Sequence, residues 1–259
     1  MATALIGGLL QQGFKPGDLC VVDVSEEARR RLQQQFGVSA IAQVDGAIAE
    51  DAVLLAVKPQ QMRAVAKDLG ARLRGQLVIS IAAGIRTPDL TRWLGGHDRI
   101  VRVMPNMPAL IGSGVSGIFA AAVVNQADRD SAQAILGSVG GVVWVKSESD
   151  IDAVTAISGS GPAYVFYFIE ALEQAAAELG LDDGQARDLA LQTFVGAAKL
   201  AAGSSESAGA LRARVTSKAG TTEAALKVME ANDVKRRIVE AARAAARRSS
   251  ELGDEFGRG

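Results

Sequence analysis

Up to about residue 146 the sequence alternates short β-branched runs with helical stretches, and beyond that point the runs stop. The runs are LCVVDV at 19–24, AVLLAV at 52–57, LVISI at 77–81, IVRVM at 100–104, VSGIFAA at 115–121 and VVWV at 142–145. Their length and composition read as buried strands. Between them lie segments such as SEEARRRLQQQFG, where Ser25 caps a helix, Glu26 and Glu27 occupy its positive first turn and Gly37 ends it. Strand, helix and strand in succession build a doubly wound parallel sheet, because each parallel pair needs a crossover long enough to hold a helix.

After Val145 the sequence offers helices only, as SGPAYVFYFIEALEQAAAELG, DDGQARDLALQTFVGAAKLAAG, TTEAALKVMEAND and VKRRIVEAARAAARRSSELG, punctuated by Gly180, Gly203 and Asn232. The expected organisation is an α/β domain over 1–148 and an all-α domain over 149–259, with the boundary near 147–150. The last helix carries Val234, Ile238, Ala241, Ala242, Ala245 and Leu252 as an apolar stripe, to be covered by its own domain or by a partner subunit.

A chain of 259 residues with 48% hydrophobic and 22% charged residues can bury a sizeable core. Its 28 basic and 29 acidic residues nearly cancel, which argues against a nucleic-acid or acidic-membrane partner and for a small-molecule ligand. The single cysteine, Cys20, excludes an intrachain disulfide, and with one histidine no ordinary zinc site is expected. Without a long apolar span or a secretory leader, a soluble, cytoplasmic protein is expected.

A dinucleotide fold needs a strand, a glycine-rich turn, a helix whose first amides hold the pyrophosphate, and a second strand ending in an acidic residue that meets the ribose. Here MATALIGGLLQQG reads as that first helix, ending at Gly13, and LCVVD as the second strand, ending at Asp23. The sequence as given opens directly on that helix, without the first strand and its glycines. Two readings follow: either the coding sequence starts about a dozen residues upstream and Ala2 is the small third position of a G-x-G-x-x-A turn, or the sheet lacks a central strand. As written, the chain should bind a pyrophosphate poorly. The loop after the second apolar run, Ala56, Val57, Lys58, Pro59 and Gln60, and the small residues Ala82, Ala83 and Gly84 after the third, would look onto a ligand crevice. On spacing alone, Pro59 equally serves as an ordinary helix opener.

The segments MATALIGG, LLAVKPQ, VISIAAGI, RVMPNMPALIGSGVSGI, AISGSGPAYVFYFIEAL, GAAKL and VTSKAGTTEAALKVME occur in an order that resembles the pyrroline-5-carboxylate reductases across nearly the whole chain. The helical half decides the resemblance, since other cofactor enzymes share the first half alone. It implies a Rossmann-like doubly wound parallel sheet followed by an all-α dimerisation domain. The implied chemistry is reduction of L-1-pyrroline-5-carboxylate to L-proline with NADPH or NADH, and the implied assembly a homodimer joined in a pentamer of dimers. Ala2, Asp23 and the residues Ala56, Val57, Lys58, Pro59 and Gln60 are implied on the cofactor, with Ala82, Ala83, Gly84 and Asn106 near its nicotinamide. A buried Asn106 in MPNMP could equally bond its own turn.

The substrate site is implied at Val215, Ser217, Gly220, Thr221 and Thr222, where a helix start and two hydroxyls suit a carboxylate. The plainer alternative is a helix start capped by Thr221. Thr222 is the candidate proton donor to the ring nitrogen, and His97 reads as a surface residue. Asp23 favours the 2′-hydroxyl of NADH, whereas Arg29 or Arg30 would attract the 2′-phosphate of NADPH. Lys218-Ala219 and Ser207-Ala208 stand where the family usually has Pro-Gly and His-Pro, so the loop is expected to differ there. Two rival readings are another imine or ketone reductase of the superfamily, and a non-catalytic homologue that assembles through its helices.

Overall fold

The computed structural model describes residues 1–258, which form two compact units, Met1–Ser160 with the C-terminal stretch from Ala245, and Gly161–Ala244. In chain order the first unit comprises α1 (Ala2–Gln11), β1 (Cys20–Val22), α2 (Glu26–Phe36), β2 (Ser39–Ile41), β3 (Ala52–Leu55), α3 (Pro59–Gly70), β4 (Leu77–Ser80), α4 (Thr87–Trp93) and β5 (Ile100–Met104). It continues with β6 (Gly114–Ala120), α5 (Gln126–Gly137), β7 (Gly140–Trp144) and α6 (Asp150–Val154), then a π-turn at Thr155–Gly159.

Strands β3 to β7 make one five-stranded sheet in sequence order, and β1 and β2 pair as a separate parallel ribbon. Helices cover both faces of the larger sheet. The reason is visible along β4, where Leu77 and Ile79 turn to a core with Leu5 and Leu136, while Val78 turns to Met62, Leu90 and Trp93. A strand buried on both faces reads as a continuous apolar run, and each fully buried aliphatic side chain contributes about 1.5–3 kcal/mol.

All six runs contain strands, but three expectations need correction. The sheet is not wholly parallel: β5 and β6 pair antiparallel, because the 105–113 connection holds only the 3-10 turn Met107–Ile111 and is too short for a crossover. Helix α5 then supplies the crossover that makes β7 parallel to β6. The β1 run is not buried, since Cys20 and Val22 are exposed and only Leu19 and Val21 pack inward, toward Ile6, Leu32 and Val38. The short strand β2 was unforeseen, with only three paired residues to announce it. The β6 and β7 backbones approach so closely at Gly140 that a Cβ there would lie 2.0 Å from the Gly114 carbonyl oxygen.

Helix α2 follows the sequence reading, with the Ser25 hydroxyl accepting from Ala28 N–H at 3.3 Å and Gly37 in the left-handed region at its end. At the start of β5, Arg99 bonds Asp128 of α5, with Nε 2.6 Å from Oδ2. At its centre the buried Arg102 meets Glu148 at 3.1 Å, and Glu148 also accepts from the N–H and hydroxyl of Thr87 at 2.6 and 2.7 Å.

The second unit holds α7 (Gly161–Glu178), α8 (Asp183–Ala202), α9 (Ala208–Arg214) and α10 (Thr221–Ala231), and α11 (Val234–Gly257) runs from it into the first unit. Asp182 and Gln185 form a reciprocal cap at the start of α8. The sequence reading did not foresee α9; there Ser207 accepts from Ala210 N–H at 3.2 Å, which is how Ser-Ala replaces a His-Pro helix opening. Among α7 to α10 only Ala186 and Ala190 are buried. The stripe on α11 is partly covered at Ala245 and Leu252 and exposed at Ile238 and Ala241. Among the described residues no helix is long and apolar enough to cross a membrane.

Candidate active site

Three loops leave the carboxyl ends of the parallel strands β3, β4 and β5, which places them along one edge of the five-stranded sheet. The first is Ala56–Gln60. Lys58 is the N-cap of α3 with an extended backbone, Pro59 opens the helix, and Ala56, Lys58 and Gln60 are exposed. The second is Ala82–Gly84, where Ala82 is buried, Ala83 is exposed, and Gly84 holds φ 72, a value that favours glycine. Gly84 is buried, and the single methyl at the exposed Ala83 leaves the backbone there open to a flat ring.

Asn106 begins the third loop and is 8% exposed. Its side-chain oxygen accepts from Val115 N–H at 2.9 Å, so it bridges to the start of β6 instead of bonding its own turn. The remaining NH2 group is the part of this side chain that can meet a ligand. Behind it, the π-turn packs Gly159 against Met104, the last residue of β5. Thr155 and Ser158 hydroxyls bond the Ile151 and Val154 carbonyls at 2.8 and 3.0 Å. Sequence reasoning missed this turn, although residues 156–159 open the quoted AISGSGPAYVFYFIEAL segment, because hydroxyl back-bonding has no periodicity.

Ala2 is the first residue of α1, whose first turn carries no acidic side chain and no side-chain cap. Such a helix start can accept an anion. Asp23 follows β1 in the separate ribbon; its carboxylate accepts from Ser25 N–H at 2.8 Å, and Arg29 donates to its backbone carbonyl at 2.6 Å. An acid and a guanidinium therefore share the end of this strand. His97 is half-buried, not on the open surface, and precedes β5 at the end of the strand opposite Asn106.

All five residues expected at the substrate lie in the second unit: Val215, Ser217 and Gly220 in the turn between α9 and α10, and Thr221 and Thr222 in the first turn of α10. Thr221 is not the cap: Gly220 is the N-cap, without a side-chain hydrogen bond, and Thr221 is the first helical residue. Glu223 instead reaches back to Ala219 N–H at 2.5 Å. A Cβ on Gly220 would press on the Ser217 hydroxyl, which would have to turn away. Ala219 holds φ 58, so the backbone keeps a glycine-like conformation without a glycine. Val215 and Thr221 are exposed and Thr222 is half-buried.

An open sheet with its loops gathered at the carboxyl ends of parallel strands, beside an acid-free helix start, is the scaffold of dinucleotide-dependent oxidoreductases. Two family models match: "NADP oxidoreductase coenzyme F420-dependent" over residues 1–84, and "Pyrroline-5-carboxylate reductase dimerisation" over residues 148–252. The chain is 43% identical to the pyrroline-5-carboxylate reductase of Pseudomonas aeruginosa over 99% of its own length and 95% of the relative's. The solved structure of the Coxiella burnetii reductase superposes with a TM-score of 0.92 at 40% identity, covering 97% of this chain and 94% of the other. That of the Plasmodium falciparum reductase with NADP bound superposes with a TM-score of 0.84 at 30% identity, again over 97% and 94%. The chain belongs to the pyrroline-5-carboxylate reductase family. Its helical unit is accordingly a dimerisation region, and the protein is a homo-oligomer.

Proposed function

We propose that the chain reduces L-1-pyrroline-5-carboxylate to L-proline with NADPH or NADH, the last step of proline biosynthesis, in the cytoplasm and as a pentamer of dimers. The reading is carried by one observation: identity of 43% extends along 99% of the chain, through both the sheet and the dimerisation region.

The residues fit the cofactor. Ala2 at the uncapped start of α1 faces the pyrophosphate, Asp23 the adenosine ribose, and Ala56, Val57, Lys58, Pro59 and Gln60 border the dinucleotide. Ala82, Ala83 and Gly84 make a flat, small-residue wall for the nicotinamide, and Asn106 offers it an amide. When bound, NAD(P)H supplies hydride to the imine carbon, which becomes Cδ of proline. At the substrate, Ser217 and the open amides of α10 around Gly220 and Thr221 hold the carboxylate, with Val215 against the ring. Thr222 hydrogen-bonds the ring nitrogen and holds or delivers the proton gained there.

The test follows loss of NAD(P)H absorbance on adding pyrroline-5-carboxylate, with proline identified as product. Absence of turnover in the intact oligomer would reject the activity. Equal turnover of 1-pyrroline, which lacks the carboxylate, would reject the anion-binding role of the 215–222 turn. Thr222→Ala is expected to lower kcat by about 100-fold while KM changes less; an unchanged rate removes Thr222 from the chemistry.

A further inference from the structure

The loop after β4 is held from an unexpected direction, by the end of the last helix. Gly84, at the turn of this loop, lies under Phe256: a Cβ on Gly84 would be 2.9 Å from the phenyl ring and 3.4 Å from Leu252 Cβ. Two residues on, Arg86 bonds Asp254 at 2.7 Å and donates its other terminal nitrogen to the Ser250 carbonyl at 3.0 Å. Arg92, on the helix that follows the loop, donates to the Gly257 carbonyl at 2.8 Å. The stretch is seated from its own side by buried Ser249, whose hydroxyl donates to Asp152 at 2.7 Å.

The contacts have a common logic. The last carbonyls of a helix have no intrahelical partner and carry partial negative charge, and its final turns fray unless tied down. The last turn of α11 has no basic residue of its own. Arg92 supplies a cation at the terminal Gly257 carbonyl, and Arg86 holds the turns before it through Asp254 and Ser250, so the helix end and the loop stabilise one another. Ala82 on one side and Ile85 on the other are buried in the core, and Thr87 is fixed through two bonds to Glu148, so both flanks of the exposed Ala83 are pinned.

We infer that the end of α11 is a clamp on the 82–86 loop, and that Phe256 and Asp254 are positioning residues for the nicotinamide half of the cofactor. The inference rests on the reading above that Ala82, Ala83 and Gly84 border the nicotinamide. A loosened loop misplaces the ring against the imine and leaves the adenosine half untouched, and small misplacements of reacting atoms cost rate steeply.

The experiment uses the intact oligomer with Asp254→Asn, Phe256→Ala and the double variant, and Glu255→Ala as the neighbouring control. Three quantities are read: kcat, Kd for NADPH and NADH, and Kd for ADP-ribose and its 2′-phosphate, which lack nicotinamide. Expected is a fall in kcat of about tenfold or more with weaker NAD(P)H binding, and unchanged affinity for the fragments. Asp254→Asn keeps the packing and removes the ion pair, so the test survives even where Phe256→Ala fails to fold. Parallel weakening of fragment and whole cofactor marks a general loss of structure and overturns the clamp. Ala83→Leu separates the two layers. If it blocks NAD(P)H while the α11 variants behave like the parent, the clamp is wrong and the reading of the loop stands. If Ala83→Leu itself has no effect on NAD(P)H, the loop does not face nicotinamide and both fall.

Discussion

The sheet unit and the helical unit bury their apolar residues in opposite ways. In the first, Val78, Ile79, Ile100, Val101 and Ile118 are completely enclosed by α1, α3, α4 and α5 of the same chain. In the second, Phe166, Leu189, Leu200 and Val228 are more than half exposed, and two alanines are all that α7 to α10 enclose. Exposed apolar side chains on this scale cannot stabilise a lone set of helices, because the hydrophobic gain is realised only when water is removed. The first unit carries its own core, and the second completes its core with a second copy, as a dimerisation region must.

The sharpest way to break the self-sufficiency of the first unit is Glu148→Ala. It leaves the Arg102 guanidinium charged and enclosed in the sheet and releases Thr87. A loss of about 3–5 kcal/mol is expected from unpairing a buried charge, read as a shift in the denaturant midpoint. An unchanged midpoint would mean that water replaces the carboxylate. For the second unit, Phe166→Asp should weaken association by about 2–4 kcal/mol, read by sedimentation across concentration. A variant that stays dimeric at nanomolar protein would place Phe166 outside the interface.

The Arg99–Asp128 pair gives the contrast a pH signature. Hydrogen bonds from Arg99, then its charge, hold the Asp128 carboxyl below the usual carboxylate range, against the opposing effect of burial. A carboxyl whose folded value is lowered contributes stability that is full above its unfolded value of about 4 and is lost as pH falls through the folded value. Asp128→Asn should therefore cost about 1.5–3 kcal/mol at neutral pH and progressively less in acid. A constant difference at every pH would exclude this titration. The smallest effect is expected at Ala219→Gly, which relieves a left-handed alanine and should stabilise the 215–222 turn by about 1 kcal/mol. Destabilisation would show that the strain is compensated elsewhere.

Much of the sheet was legible because enclosed parallel strands need dense β-branched runs, and nothing else in the chain looks like them. The turn of β6 against its neighbour was readable too, in a 105–113 connection with no room for a crossover, but the rhythm of alternation masked it. Arg102 in the middle of IVRVM was a visible signal that an acid must be near. Its partner could not be named, since Glu148 is 46 residues away and Thr87 joins from 61 residues before Glu148. The start of α10 was misjudged for a local reason: a threonine at a helix start suggests a cap, yet the tight Ser217 to Gly220 turn moves the helix boundary one residue earlier. Asn106 was recognised as enclosed, but a bond to Val115 requires the return of β6, which the local sequence does not express.

The β1–β2 ribbon shares no strand pairing with the larger sheet. A pair of three-residue strands is among the least persistent elements a protein can keep, and its amides should exchange with solvent long before those of β4 and β5. Asp23 stands at the end of this soft piece. With Asp23 on the adenosine ribose, as proposed, recognition of that end of the dinucleotide would be inseparable from local ordering: occupancy would act as mortar for the ribbon, and the chain would become measurably firmer there, by mass action, as the cofactor pool fills.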